Sequence, residues 1–301
     1  MPPYQPQLAQ LVTSAPSGPE WVHELKYDGY RIGCRIERRR VMLLSRRGND
    51  WTAHFPDIAK AAAALKLTSA LIDGEACSVL ADGRTSFQAL QNSSGRLIYF
   101  AFDLLYLDGR SLLREPLHAR KAALRRIVRG ARIQFADHID GDGPAAFREA
   151  CRMKLEGIVS KRVDEPYLLG KRQGWLKTKC VQRQEFVIGG FTDPEGSRQG
   201  IGALLVGVYE KDRLVFGGKV GTGFTRAVAG DLRAALERIE TDRSPFTPPP
   251  TGWLGKHAHW VKPSLVCEVV FTEWTGEGKI RHPSFQGLRR DKRATEVVRE
   301  S

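Results

Sequence analysis

With 301 residues, 42% of them hydrophobic and 27% charged, the chain has the balance of a globular protein of one large or two ordinary domains. No apolar run approaches the roughly 20 residues of a membrane span, and Met1 to Gln10 carries prolines and glutamines instead of a secretory leader, so a cytoplasmic protein is expected. The formal charge of +13 asks for a polyanionic partner, most commonly nucleic acid, because each phosphate contact releases condensed counterions.

After a proline-rich lead-in of about twenty residues, Trp21 to Ser45 reads as strands broken by the basic turn Arg38-Arg39-Arg40. Within them lies Glu24-Leu25-Lys26-Tyr27-Asp28-Gly29-Tyr30-Arg31, and Ser45-Arg46-Arg47-Gly48 follows. Phe55 to Leu67 has Ile58, Ala62 and Leu65 at helical spacing. Two strand candidates come next, one holding Leu71-Ile72-Asp73-Gly74-Glu75 and one holding Phe100-Ala101-Phe102-Asp103; the second is apolar enough to be central. Arg114 to Arg129 predicts a basic amphipathic helix with Leu117, Ala123, Leu124, Ile127 and Val128 inward, and Ala145 to Lys154 predicts another. Glu156-Gly157-Ile158-Val159-Ser160-Lys161 and Trp175-Leu176-Lys177-Thr178-Lys179 complete the first half.

Beyond Lys179 the texture changes to short, glycine-punctuated strands with one helix over Val228 to Ile239 and a proline-rich connection at 244–252. Five or so short strands and a helix in a little over a hundred residues suit a small barrel of the OB type. The boundary is placed near Arg183, giving domains 1–183 and 184–301, and no internal repeat is evident. The five cysteines (Cys34, Cys77, Cys151, Cys180 and Cys267) are scattered and never in Cys-x-x-Cys spacing, so neither a zinc site nor a disulfide framework is expected and a reducing compartment fits. The seven histidines form no metal-ligand pattern.

Lys26 is the candidate nucleophile. An ammonium must lose its proton to attack, so its environment has to lower its pKa, and Arg31, Lys177 and Lys179 are candidate neighbouring cations. One Lys-x-Asp-Gly is a weak signal. Followed in order by the five runs quoted above, it resembles the motif series of the covalent nucleotidyltransferases and, among them, the ATP-dependent DNA ligases. The tail Arg281-His-Pro-Ser-Phe-Gln-Gly-Leu-Arg289-Arg290-Asp291-Lys292, with Trp260-Val-Lys-Pro, Glu268-Val-Val-Phe and Trp274-Thr-Gly, is most similar to the ligase module of the bacterial end-joining ligase D family, over Trp21 to Glu300.

That resemblance implies an α/β adenylation domain followed by an all-β OB-fold barrel. It implies that Lys26 carries AMP from ATP to a DNA 5′-phosphate, with Glu24 reading the adenine edge, partly through its backbone, and Phe102 stacking on the base. Arg31 and Arg46 would contact ribose and phosphate, and Lys177 and Lys179, alternate residues of one strand, would face the phosphates. Glu75 and Glu156 would bind ribose hydroxyl or Mg²⁺ or Mn²⁺, since carboxylates suit hard cations. Arg289 and Lys292, in the family's Arg-x-Asp-Lys pattern, would orient the pyrophosphate. The implied partners are nicked or broken duplex DNA and a Ku-like end-binding protein, and a monomer is expected. There is no room for the polymerase and phosphoesterase modules of full-length relatives, so the chain is a stand-alone ligase or an excised module. The rival readings are an RNA ligase or GTP-using capping enzyme, and a non-catalytic nucleic-acid-binding module.

Overall fold

The computed structural model describes residues 1–38, 40–65, 67–128, 132–194 and 200–300, which divide into two compact units, Met1–Cys180 and Val181–Ser301. In the first unit the strands are β1 (Gln10–Leu11), β2 (Ser17–Leu25), β3 (Gly29–Glu37), β4 (Arg40–Ser45), β5 (Ser69–Val79), β6 (Arg96–Leu107), β7 (Arg110–Ser111), β8 (Ile133–Phe135), β9 (His138–Asp142), β10 (Gly157–Arg162) and β11 (Trp175–Lys179). Its helices are α1 (Pro56–Ala63), α2 (Phe87–Gln91), α3 (Leu117–Ile127) and α4 (Gly143–Arg152). They build two sheets, one in the order β1-β11-β10-β2-β9 and one in the order β4-β3-β5-β6-β7 with β8 beside β6.

Alternation along the strands dictates the layers. Ile32, Cys34 and Ile36 of β3 join Ile72, Tyr99, Ala101 and Leu104 in a core covered by Ile58 and Ala62 of α1 and Leu124 of α3. The opposite faces contribute Leu44, Leu71, Phe102 and Leu105, which meet Trp175 of the other sheet together with Tyr4 and Tyr167. On that sheet's far side, Ala146 and Ala150 of α4 pack on Ile158. The unit is thus a two-sheet sandwich with helices on both outer faces, and the cleft between the sheets is where side chains from both converge.

Helix α3 departs from its simple amphipathic reading. It buries Leu117 and Leu124, and with them Arg120 and Lys121. Arg120 makes a bidentate bond to Asp103, Nε to Oδ1 at 2.7 Å and Nη2 to Oδ2 at 2.9 Å, with both side chains fully buried. A carboxylate inside an apolar strand is tolerable only with such a partner.

The expectation of unpaired cysteines is overturned. Cys151 in the last turn of α4 is disulfide-bonded to Cys180, just after β11, while Cys34, Cys77 and Cys267 are buried free thiols. The two partners are 29 residues apart, and only the packing of α4 against β10, which β11 flanks, brings their Cα atoms to 5.2 Å.

In the second unit the elements are β12 (Gln182–Thr192), β13 (Ala203–Glu210), β14 (Arg213–Val220), α5 (Arg226–Glu237), β15 (Glu240–Thr241), α6 (Gly252–His257), β16 (Ala258–Val261), β17 (Val266–Phe271) and β18 (Ser284–Arg289). The long β12 is shared: its first half pairs with β17, its second half with β16, and β13 lies along its other edge, with a register shift between Ile188 and Gly190. Such a shift lets one strand turn from one neighbour to the next, as a small barrel requires. Phe186, Phe191, Leu204, Val206 and Val269 fill the core, and α5 adds Ala229, Leu232 and Leu236. Thr225 caps α5 by accepting the Val228 N–H at 3.2 Å. This is the all-β OB unit expected. Arg183, which the sequence reading left in the first domain, pairs with Glu268 of β17 at 2.8 Å and so belongs to the second unit.

Two stability predictions follow from these buried charges. Arg120→Ala leaves Asp103 without its cation, and urea unfolding should show a loss of about 3–5 kcal/mol; a loss under about 1 kcal/mol would mean the pair is dispensable. For Glu268, burial alone raises the carboxyl, but Arg183 and then Arg289 outweigh it and hold it at about 2, against an ordinary value of 4.5. The depressed native value stabilises the second unit by roughly 3 kcal/mol above pH 5, and that contribution is lost as pH falls from about 4.5 through 2. Acid titration of the second unit's unfolding should show this fall, and Glu268→Gln should flatten it; an unchanged acid limb refutes the assignment.

Candidate active site

Lys26 follows the last residue of β2. Its backbone N–H donates to the Gly157 carbonyl at 2.9 Å, and its Nζ lies 2.6 Å from Glu156 Oε1, with the two side chains 23% and 7% exposed. Two glycines permit this approach. A Cβ on Gly157, at φ +149°, would meet the Thr178 carbonyl at 2.1 Å, and a Cβ on Gly29 would meet the Ala76 carbonyl at 2.2 Å. The glycine of each short motif is therefore a close-packing requirement.

The register places the other basic candidates beside them. Val159 pairs with Glu24 on one side and Lys177 on the other, and Gly157 pairs with Lys179, so Glu24, Val159, Lys177 and Lys179 share one face of the sheet. On the second sheet, Glu75 sits between Arg31 of β3 and Phe100 of β6. Arg46 begins the tight turn after β4, in which the Ser45 N–H donates to the Asn49 carbonyl at 2.9 Å and the Gly48 N–H to the Ser45 carbonyl at 2.8 Å. Burial pushes Cys77 well above its ordinary pKa, the carboxylates of Glu75, Asp28 and Glu156 push it further, and Lys26 opposes them. Of the two carboxylates expected to hold a metal, Glu156 lies directly on the candidate nucleophile Lys26.

Among the described residues no group of three or more His, Cys, Asp or Glu side chains is arranged to hold a metal ion. Magnesium fits such a site nonetheless, because it is commonly held by one or two carboxylates with substrate phosphates and water completing its shell. Glu156 and Glu75 have that character.

Five of the residues expected at the nucleotide, Glu24, Arg31, Phe102, Arg289 and Lys292, have partners within the protein. The Glu24 carboxylate is buried between two ammonium groups, with Lys121 on Oε1 at 2.6 Å and Lys161 on Oε2 at 2.7 Å. Burial, opposed by Glu24 and reinforced by Lys121, lowers Lys161 to about 8. Arg31 donates to both oxygens of the buried Asp73, to the Gln7 carbonyl and to the Tyr167 hydroxyl. Asp73 also accepts from Tyr4 and Tyr167, so it anchors four donors. Phe102 is buried, with Lys161 Nζ 4.3 Å and the Arg31 guanidinium 5.2 Å from its ring centre. Phe100, two residues earlier, is the more open ring and stacks on Tyr27 at 4.0 Å. In the second unit, Arg289 chelates Asp291 at 2.9 and 2.7 Å and reaches Glu268 at 3.1 Å, while Lys292 pairs with Glu185 at 3.1 Å. The reason is common to all five: a charge or ring that the fold buries must find its complement inside the fold.

Lys121, Arg120, Lys161, Asp73 and Tyr167 were not singled out from sequence. The available signal was the set of carboxylates at Glu24, Asp73 and Asp103 within apolar strands, each of which demands a buried donor.

Comparison with known proteins identifies the family. The profile of the ATP dependent DNA ligase domain matches residues 6–179, and that of the ATP dependent DNA ligase C terminal region matches residues 197–292. The multifunctional non-homologous end joining protein LigD of Pseudomonas aeruginosa is 42% identical over 98% of this chain, and that of Mycolicibacterium smegmatis is 39% identical over 93%. The chain spans only 36% and 37% of those proteins. Among solved structures, a mycobacterial DNA ligase D complexed with ATP and MES superposes with a TM-score of 0.75 at 38% identity, each chain 98% covered. The ligase domain of M. tuberculosis LigD gives a TM-score of 0.56 with the same identity and coverage. With more than half its length matched by the catalytic-domain profile, and the C-terminal profile following in order, the chain belongs to the ATP-dependent DNA ligases.

Proposed function

We propose that this chain seals 5′-phosphate/3′-hydroxyl breaks in duplex DNA through a lysyl-AMP at Lys26. The observation that carries this reading is the 2.6 Å pair of Lys26 with Glu156, on a sheet that also brings Lys177 and Lys179 alongside. Lys26 Nζ attacks the α-phosphate of ATP, a P–N bond forms, and pyrophosphate leaves. Glu156, bonded to the ammonium, is placed to accept its proton as the nitrogen becomes nucleophilic. Lys177 and Lys179 offset charge on the phosphates. The AMP then passes to a 5′-phosphate, and the 3′-hydroxyl displaces it to form the phosphodiester.

A bound Mg²⁺ or Mn²⁺, held by Glu156 and Glu75, would supply neutralisation of phosphate charge. Glu75 serves the ribose or the metal, and Arg46 serves the phosphate side. Glu24, Arg31 and Phe102 act by holding the two sheets that wall the nucleotide, and the base is read by backbone and by the exposed parts of those walls. Arg289, bonded to Asp291 and Glu268, and Lys292, paired with Glu185, are the tail residues assigned to orienting the leaving pyrophosphate. The names of the relatives support end joining as the setting. The proposal adds a Ku-like protein and polymerase and phosphoesterase modules as partners, and a monomeric, cytoplasmic, nucleoid-associated enzyme. The similarity to a ligase D solved with ATP supports the nucleotide.

With α-labelled ATP the protein should gain one acid-labile adenylate, seen as a single AMP mass increment, and Lys26→Ala should gain none; an adduct that survives the substitution overturns the reading. Lys292→Ala should slow self-adenylation by roughly ten- to a hundredfold while sparing the sealing of a pre-adenylated nick. Equal loss of both steps would assign Lys292 to bracing the barrel through Glu185.

A further inference from the structure

The disulfide closes a loop that holds much of the site. Between Cys151 and Cys180 lie Glu156, Lys161, Lys177 and Lys179. The Cys180 N–H donates to the Glu156 carbonyl at 2.9 Å, and the next carbonyl, that of Gly157, accepts the Lys26 N–H. At the other end, the Lys154 N–H donates to the Cys151 carbonyl at 3.0 Å, so the crosslink brackets the turn from which Glu156 reaches Lys26. Both bonded cysteines are half-buried, whereas Cys34, Cys77 and Cys267 are wholly enclosed. Among the described cysteines the pair is therefore the one a small thiol or disulfide can reach.

We propose that Cys151–Cys180 is a thiol–disulfide exchange site through which the redox state of small thiols sets the rate at which Lys26 is adenylated. This rests on the ligase reading above. Its substrates are dithiols in one direction and low-molecular-weight disulfides in the other. A reductant thiolate attacks one sulfur and the other cysteine leaves as thiolate. The second reductant thiol then resolves the mixed disulfide, so two electrons and two protons end on Cys151 and Cys180 and the reductant departs oxidised. Closed, the bridge pins the end of α4 to the end of β11 and fixes the Glu156 turn between them. Open, that turn keeps its hydrogen bonds, its Lys26–Glu156 pair and the packing of Leu155 but loses its covalent tie to β11, and Glu156 and Lys179 lose part of their alignment with Lys26. Small misplacements of aligned groups cost rate steeply, so the oxidised enzyme is the faster one.

The test uses the full chain. Alkylation of the oxidised, denatured protein should tag three thiols, and prior treatment with a dithiol should raise the count to five. Single-turnover adenylation should be roughly tenfold faster in the oxidised form. Cys151→Ser and Cys180→Ser should each show the slow rate whatever the redox treatment; having two variants guards against one failing to fold. Five thiols after oxidation, equal rates, a slower oxidised form, or a redox response that persists in the serine variants would each overturn the proposal. An absence of adenylate in both redox states would instead sink the ligase reading, while the thiol count still decides whether the bridge exists.

Discussion

A carboxylate buried two residues before the nucleophile needs compensation in place, and Glu24 obtains it from Lys121 of α3 and Lys161 of β10. Each oxygen of the carboxylate takes one ammonium, so helix, neighbouring strand and β2 are tied at a single point. Breaking such a contact strands a charge in a poorly solvating interior, which costs far more than an exposed ion pair is worth. The position of Lys26 along β2 is in this sense inherited from Glu24. Lys161 extends the tie across the cleft, since its ammonium also lies 4.3 Å from Phe102 of the other sheet and 4.1 Å from Trp175.

The same logic recurs at Asp73 and Asp103. Asp73 gathers Arg31, Tyr4 and Tyr167, and so joins β3, the N-terminal segment and the loop after β10. Asp103 holds α3 against β6 through Arg120. Three internal carboxylates thus set the relation of two sheets and a helix. Lys26 with Glu156, Glu75, Lys177 and Lys179 is the proposed reacting set. In the barrel, Glu268 plays a comparable part between Arg183 and Arg289.

Much of this was legible in the chain. The helices at 56–63, 117–127, 143–152 and 226–237 and the change of texture after Lys179 follow from apolar periodicity, which is local. The common facing of Lys177 and Lys179 follows from strand alternation. Arg31, Glu24 and Arg289 were harder, because a charged residue in a motif can face a ligand or a buried counter-charge, and the sequence pattern is the same for both. Phe102 posed the like ambiguity for a ring.

By itself, then, the sequence determined the family and the order of the two domains, and it pointed to Lys26 as the candidate nucleophile with its accompanying carboxylates and lysines. These are encoded in residue types at short spacings. Only the tertiary structure decided which charges are spent within the fold, that Lys121 and Lys161 hold Glu24, and that Cys151 meets Cys180. Each of those contacts joins residues 29 or more positions apart, on elements that meet through the burial of other side chains, and burial of that kind leaves no periodic trace in the chain.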